Sequence, residues 1–245
     1  MSGFRKNMQR LAVVLFAVPL IVGNTVAHAQ VRRTRRESNA NRKARIERTI
    51  QDTYSHRYEL FGGGGYLRFR SGEYLQRNNE VTWATSGTYF LNPKLGITAD
   101  VRGAFGNAKV GNTIYNVANP LITEYTFMGG ATYRFYAKQK FAISGNALAG
   151  FALGNFDGGS KGVSAPLLGM WATSNRPAFS VGANLDYNFY PNLAFRIGPT
   201  WVGTAFHGNN INPDGSLGSQ NGTIQSNLGF NAGIIYRFGR IKPAK

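Results

Sequence analysis

From about His56 to Phe238 apolar and polar residues alternate with period two, and few patterns leave a chain so little choice of fold. Phe179, Val181, Ala183, Leu185, Tyr187 and Phe189 fall on one side of a strand, with Ser180, Gly182, Asn184, Asp186 and Asn188 on the other. Residues 125–135 and 228–238 repeat the pattern. Beyond residues 11–22 no run of about 18 apolar residues exists, so no helix can span a bilayer. A membrane-spanning form of this chain must therefore cross by strands. Eight segments carry the alternation, at 57–70, 81–91, 95–106, 123–137, 141–153, 178–190, 193–205 and 223–238. An even number is what a closed antiparallel barrel needs. The first segment keeps its register open, because Gly62 to Gly65 hide which face is which.

The connections alternate in length. Those after segments two, four and six are short (Leu91-Asn92-Pro93-Lys94, Ala137-Lys138-Gln139-Lys140, Tyr190-Pro191-Asn192-Leu193), whereas 154–177 and 206–222 are long and rich in Gly, Asn and Ser. Short turns at one end and long loops at the other describe an all-β, eight-stranded antiparallel up-and-down transmembrane β-barrel. A soluble barrel or sandwich would also alternate. It would have no use, however, for Tyr89, Phe90, Tyr133, Phe135, Tyr136, Phe189 and Tyr190 crowded beside the short turns, where an interfacial aromatic girdle belongs.

The turn repeats Tyr89-Phe90-Leu91-Asn92-Pro93 and Phe189-Tyr190-Pro191-Asn192-Leu193, with the last strand Gly233-Ile234-Ile235-Tyr236-Arg237-Phe238, resemble the small outer-membrane barrels of the OmpA and OmpX type. The resemblance covers about residues 57–238 and implies a bacterial outer-membrane location. It also implies an insertion signal at Tyr236 and Phe238, read by the barrel-insertion machinery, although seven residues follow Phe238.

Basic Arg5, Lys6 and Arg10, the apolar run and small Ala27 and Ala29 read as a secretory signal cleaved after Ala29. The expected organisation is a signal at 1–29, a basic periplasmic tail at 30–56, disordered or partly helical, a barrel at 57–239 and a short basic extension at 240–245. The absence of cysteine excludes disulfides, lipoprotein acylation and thiolate metal sites. Net charge is +17, yet residues 30–57 alone hold nine basic residues against three acidic, so much of the excess sits in the tail. A solvated arm explains that charge. The sharper expectation is contact with periplasmic polyanions or an anionic lipid surface. Nucleic acid would read the same charge but is not expected to meet an exported chain.

On the lumen-facing parity lie Asp100, Arg102, Glu124, Arg134, Asp186, Arg196 and Arg237, expected to form a packed network of ion pairs, since an isolated buried ion is costly. A hydrolytic trio of His207, Asp214 and Ser216 and an oxygen-lined calcium loop at 209–216 are the sharper readings of the last long loop; ordinary polar loop composition explains both. No catalytic, cofactor or metal residue is expected. The function reads as a structural and interaction barrel, in contact with outer-membrane lipid and lipopolysaccharide, with four loops as its contact surface. The alternative is a narrow pore, with a lipid-modifying enzyme third.

Overall fold

The computed structural model describes residues 38–241 except 112–114, 213 and 215, with only the backbone of Ile211 and Asn221. The signal-cleavage residues Ala27 and Ala29 and most of the C-terminal extension lie outside these. The described chain begins with helix α1, Asn39–Tyr54, followed by strands β1 Tyr58–Arg70, β2 Arg77–Phe90, β3 Leu95–Asn107, β4 Leu121–Ala137, β5 Phe141–Asn155, β6 Ser174–Tyr190 and β7 Leu193–Thr204. A small hairpin, β8 Gly208–Ile211 and β9 Leu217–Asn221, precedes the closing strand β10 Gln225–Phe238.

The eight long strands close into one antiparallel barrel in which each pairs with its sequence neighbours and β10 returns to β1. Its polarity is inverted relative to a soluble protein. Leu60, Val81, Ile97, Phe127, Phe151, Val181, Leu185, Leu228 and Ile234 point outward and stay exposed, while Thr88, Thr98, Thr132, Ser144, Asn184 and Asn231 fill the interior. Such a surface needs lipid rather than water against it. Aromatics ring the short-turn end, where Tyr58 packs on Tyr89 and stacks on Phe238 at 5.5 and 5.2 Å between ring centres.

Several strands are longer than the sequence pattern indicates: β2 begins at Arg77 and β6 at Ser174. Both extensions rise beyond the apolar belt, where the outward residues turn polar and period two no longer marks a strand. The alternation likewise missed the β8–β9 hairpin, a polar strand pair built wholly within a loop. The open register of β1 is settled by its partners, with Tyr58 opposite Phe238 and Tyr89. Glu59, Phe61, Leu67 and Phe69 therefore face inward. The glycines follow from curvature. Gly63 lies directly opposite Gly233, and a Cβ on either would overlap the facing carbonyl, of Ala232 or Gly62 respectively. Only glycines let β1 and β10 coil this closely in so narrow a barrel.

The tail is helical over Asn39–Tyr54, a stretch without Pro or Gly. Thr49 and Thr53 turn their hydroxyls back onto the carbonyls of Arg45 and Thr49 at 3.0 and 2.7 Å, which keeps them compatible with a helix. Most of the helix is exposed; Thr53 and Tyr54 at its end are buried. The chain then enters β1 beside β10, with Ser55 accepting from Ile241 N and Arg57 N donating to Gly239 O.

Candidate functional site

The lumen is organised in three storeys, each built from side chains of inward parity. At the short-turn end β1, β4, β6, β7 and β10 bring five ionised side chains together. Glu59 receives Arg196 Nη2 at 2.7 Å on one oxygen and Arg237 Nε at 2.9 Å on the other, with Arg134 Nη2 at 3.5 Å. Asp186 receives Arg196 Nε at 2.7 Å and Arg237 Nη2 at 3.1 Å. Three guanidinium groups thus meet two carboxylates. The surplus is met by neutral acceptors: Arg134 Nη1 donates to Pro93 O at 2.7 Å, and its guanidinium lies over the rings of Phe90 and Tyr54 at 4.3 and 4.7 Å.

Tyr54 closes this end. Its hydroxyl donates to Lys138 O at 2.8 Å and accepts from Asn188 Nδ2 at 2.8 Å, while Asn188 Oδ1 accepts from Arg237 Nη1 at 2.7 Å. Burial raises the Tyr54 phenol above its ordinary value, so it stays protonated and able to donate.

In the middle storey Asp100 accepts from Arg102 Nε at 2.6 Å, and the hydroxyls of Thr88, Thr98 and Thr132 form a ladder at 2.8 and 2.6 Å across three strands. What space remains is divided: a cavity of about 30 Å³ touches Asp100, Arg102 and Arg196, and another of about 20 Å³ touches Arg102, Glu124 and Thr126. Each holds one or two water molecules at most.

The upper storey is different in kind. Glu80 and Glu124 are buried at 0 and 1% exposure. Glu80 accepts from Asn78 Nδ2 at 3.0 Å with one oxygen, and its other oxygen and both of Glu124's have no protein partner. No guanidinium pairs with either among the described residues. Above them loops and strand ends form an apolar plug of Phe69, Ile122, Phe156, Met170, Trp171 and Phe206. Phe156 and Phe206 meet edge to face at 5.2 Å between ring centres, and Phe69 stacks on Phe156 at 6.1 Å. Backbone clamps fix the plug: Trp171 Nε1 donates to Arg70 O at 2.7 Å, and Gln225 bonds both the N–H and the carbonyl of Phe206 at 2.8 Å.

The seven expected lumen charges all lie inside, but in three groups rather than one network. Arg134, Asp186, Arg196 and Arg237 form the lower cluster, Asp100 and Arg102 stand as a separate pair, and Glu124 borders a small cavity with Arg102 but forms no ion pair among the described residues. Sequence reading missed Glu59, the centre of the lower cluster, because the glycine run hid the parity of β1. Glu80 escapes it because the apolar alternation starts at Val81; one residue further back falls on the inward parity. Tyr54 escapes it too, because it lies in the tail, where no strand parity points a side chain into the lumen.

The hydrolytic trio does not assemble. Ser216 Oγ donates to Asp214 at 2.6 Å at the hairpin tip, and Asp214 is held below the usual carboxylate range by that bond. His207 stands at the hairpin base and pairs instead with Arg176 at 2.6 Å. Asn209 and Asn210 spend their amides on Gly218 O and Ser219 Oγ, and among the described residues no group of three His, Cys, Asp or Glu converges on a metal position.

No family model and no curated protein matches the chain. Among solved structures it is similar to Neisserial surface protein A, with 13% identity and a TM-score of 0.51, over 74% of this chain and 97% of that one. It is also similar to the outer membrane protein OprG from Pseudomonas aeruginosa, with 12% identity and a TM-score of 0.52, over 76% of this chain and 98% of that one. At such identity the likeness is one of fold.

Proposed function

We propose that this chain is an outer-membrane barrel that does not conduct, and that presents its long loops as a contact surface outside the cell. The observation that carries this reading is the double closure of the lumen. An ion-paired lattice under Tyr54 fills the short-turn end, an apolar plug fills the loop end, and the cavities between them hold about 30 and 20 Å³. A hydrated ion needs a continuous path wider than a water molecule, and eight strands leave little room beyond their own side chains.

Location in the outer membrane is supported by the fold, the exposed apolar belt and the aromatic ring at the short-turn end. In that placement the short turns and α1 lie in the periplasm. Arg42, Lys43, Arg45 and Arg48 on the exposed part of α1 then face periplasmic polyanions, while outer-leaflet lipopolysaccharide surrounds the loop end. The strand β10, with Tyr236 and Phe238 outward, is the segment offered to the insertion machinery. Catalysis is not part of this reading, since His207, Asp214 and Ser216 do not come together.

The test is conductance. Mature protein, shown to be folded by a heat-modifiable gel band and a β-rich spectrum, is added to a planar bilayer. No discrete step above baseline is expected; a reproducible single-channel step in the intact protein would overturn the proposal and reinstate the narrow pore.

A further inference from the structure

At the loop-end rim one guanidinium stands apart from every ion pair of the lumen. Arg176, near the start of β6, points Nη2 at His207 Nδ1 at 2.6 Å, with Nε2 at 3.2 Å. Such a bond needs a ring nitrogen with a free lone pair, so the imidazole is neutral in this arrangement. Burial first, and then the adjacent guanidinium, hold His207 below its ordinary value. Arg176 Nε is buried without a hydrogen-bond partner, and no carboxylate among the described residues pairs with this side chain.

Both residues border an open groove of about 330 Å³ at the base of the β8–β9 hairpin. Its remaining walls come from Ala205 after β7, Gln220 on β9, and Gly222, Thr223 and Ile224 leading into β10. Arg176 and His207 are the only charged or titratable groups among the described residues that line it. The walls therefore offer a fixed cation, two polar side chains and no negative charge. A partly buried guanidinium without a counter-ion is an expensive thing to maintain, and a bound anion removes that cost.

We propose that this groove binds an oxyanion of the phosphate or sulfate type, held by the Arg176 guanidinium and the His207 ring. A planar guanidinium fork suits two oxygens of such a group, and the groove is large and open enough to admit an ester substituent on a third. Protonation of His207 breaks its bond to Arg176 and sets two cations side by side, an arrangement that an anion between them stabilises. Oxyanion binding and proton uptake at His207 consequently reinforce one another, by the reciprocity that any two coupled binding events obey.

The experiment follows the histidine ring signals of the full mature chain in zwitterionic detergent through a pH titration, with and without inorganic sulfate, which itself does not titrate near neutrality. The His207 midpoint should rise by about half a unit or more at saturating sulfate, equivalent to about a three-fold difference in sulfate affinity between the two ring forms. His56, at the opposite end of the barrel, is the internal control and should not move. In Arg176→Gln, checked for folding by its heat-modifiable band, the shift should vanish. In His207→Gln sulfate should still bind, but with an affinity independent of pH over the same range. A parallel titration in micelles containing phosphatidic acid separates the sources: a shift with the lipid phosphate alone assigns a headgroup, and a shift with sulfate assigns a soluble oxyanion. No shift with either probe, or an equal shift in Arg176→Gln, overturns the proposal.

Discussion

The two ends of the lumen face one problem, the closure of a hole through an apolar layer, and they solve it with opposite chemistry. At the short-turn end the closure is ionic, and every member except Tyr54 is carried by a strand. Glu59 and Asp186 sit on β1 and β6, and the arginines that meet them come from β4, β7 and β10. At the loop end the closure is apolar and leans on the long connections, which supply Phe156, Met170, Trp171 and Phe206. Beneath it lie two carboxyl groups that form no ion pair among the described residues. Short turns fix strand ends rigidly, so they can hold a lattice in which errors of a few tenths of an ångström matter. Long loops cannot offer that precision, and non-directional packing does not require it.

The same chemical change should therefore have opposite signs at the two ends. Glu59→Gln removes the carboxylate that three guanidinium groups share and leaves a buried surplus of positive charge. It should cost about 3–5 kcal/mol in reversible denaturant unfolding from lipid vesicles. Glu124→Gln keeps the shape, removes an ionisable group that no ion pair holds, and should be neutral or stabilising by about 1–3 kcal/mol in the same assay. If both substitutions destabilise alike, the two ends are not chemically distinct and the comparison collapses.

Truncation of the plug should separate stability from closure. Phe156→Ala should cost about 3 kcal/mol, at the low end for a buried aromatic because the loop can relax into the space. The chain has no cysteine, so Ala104→Cys in this background gives a single reporter beneath the plug. A soluble thiol reagent should label it readily in the Phe156→Ala variant and slowly with the plug intact. Equal labelling in both would mean that the loops do not seal the lumen.

The smallest expected effect is at the lid. Tyr54→Phe deletes one hydroxyl that donates to Lys138 O and accepts from Asn188, and should cost about 1 kcal/mol. It also sharpens the pH behaviour of this end. Because the phenol is raised in the folded state, its contribution is complete below the ordinary phenol range and is lost as pH rises toward the folded value. Wild type should therefore lose more stability than Tyr54→Phe in the alkaline limb of an unfolding titration; parallel curves would show that Tyr54 does not titrate as a lid.

Period two marked the strands, because lipid on one side and packed polar groups on the other force every strand to alternate, and the connection lengths with the aromatics beside the short turns made them a membrane barrel. Asp186, Arg196 and Arg237 could be placed inside by parity for the same reason. Parity gives a direction, however, and never a height. Arg102 and Arg196 share the inward parity, yet one serves Asp100 on its own strand and the other serves Asp186 on the adjacent strand and Glu59 two strands away. Which acid meets which base depends on the stagger between neighbouring strands, and that stagger is set by the closure of all eight.

What the sequence determined by itself is the class of structure: strands that span, short turns at one end, long loops at the other, and an interior that must be polar. These are local properties, written in the alternation of single residues and in the lengths between strands. The tertiary structure alone decided that Glu59 sits at the centre of the lower lattice and that Glu80 and Glu124 form no ion pair among the described residues. It also placed Tyr54 as a lid and brought His207 to Arg176 rather than to Asp214. Each of those depends on residues far apart in the chain reaching the same height in the barrel, which no local pattern records.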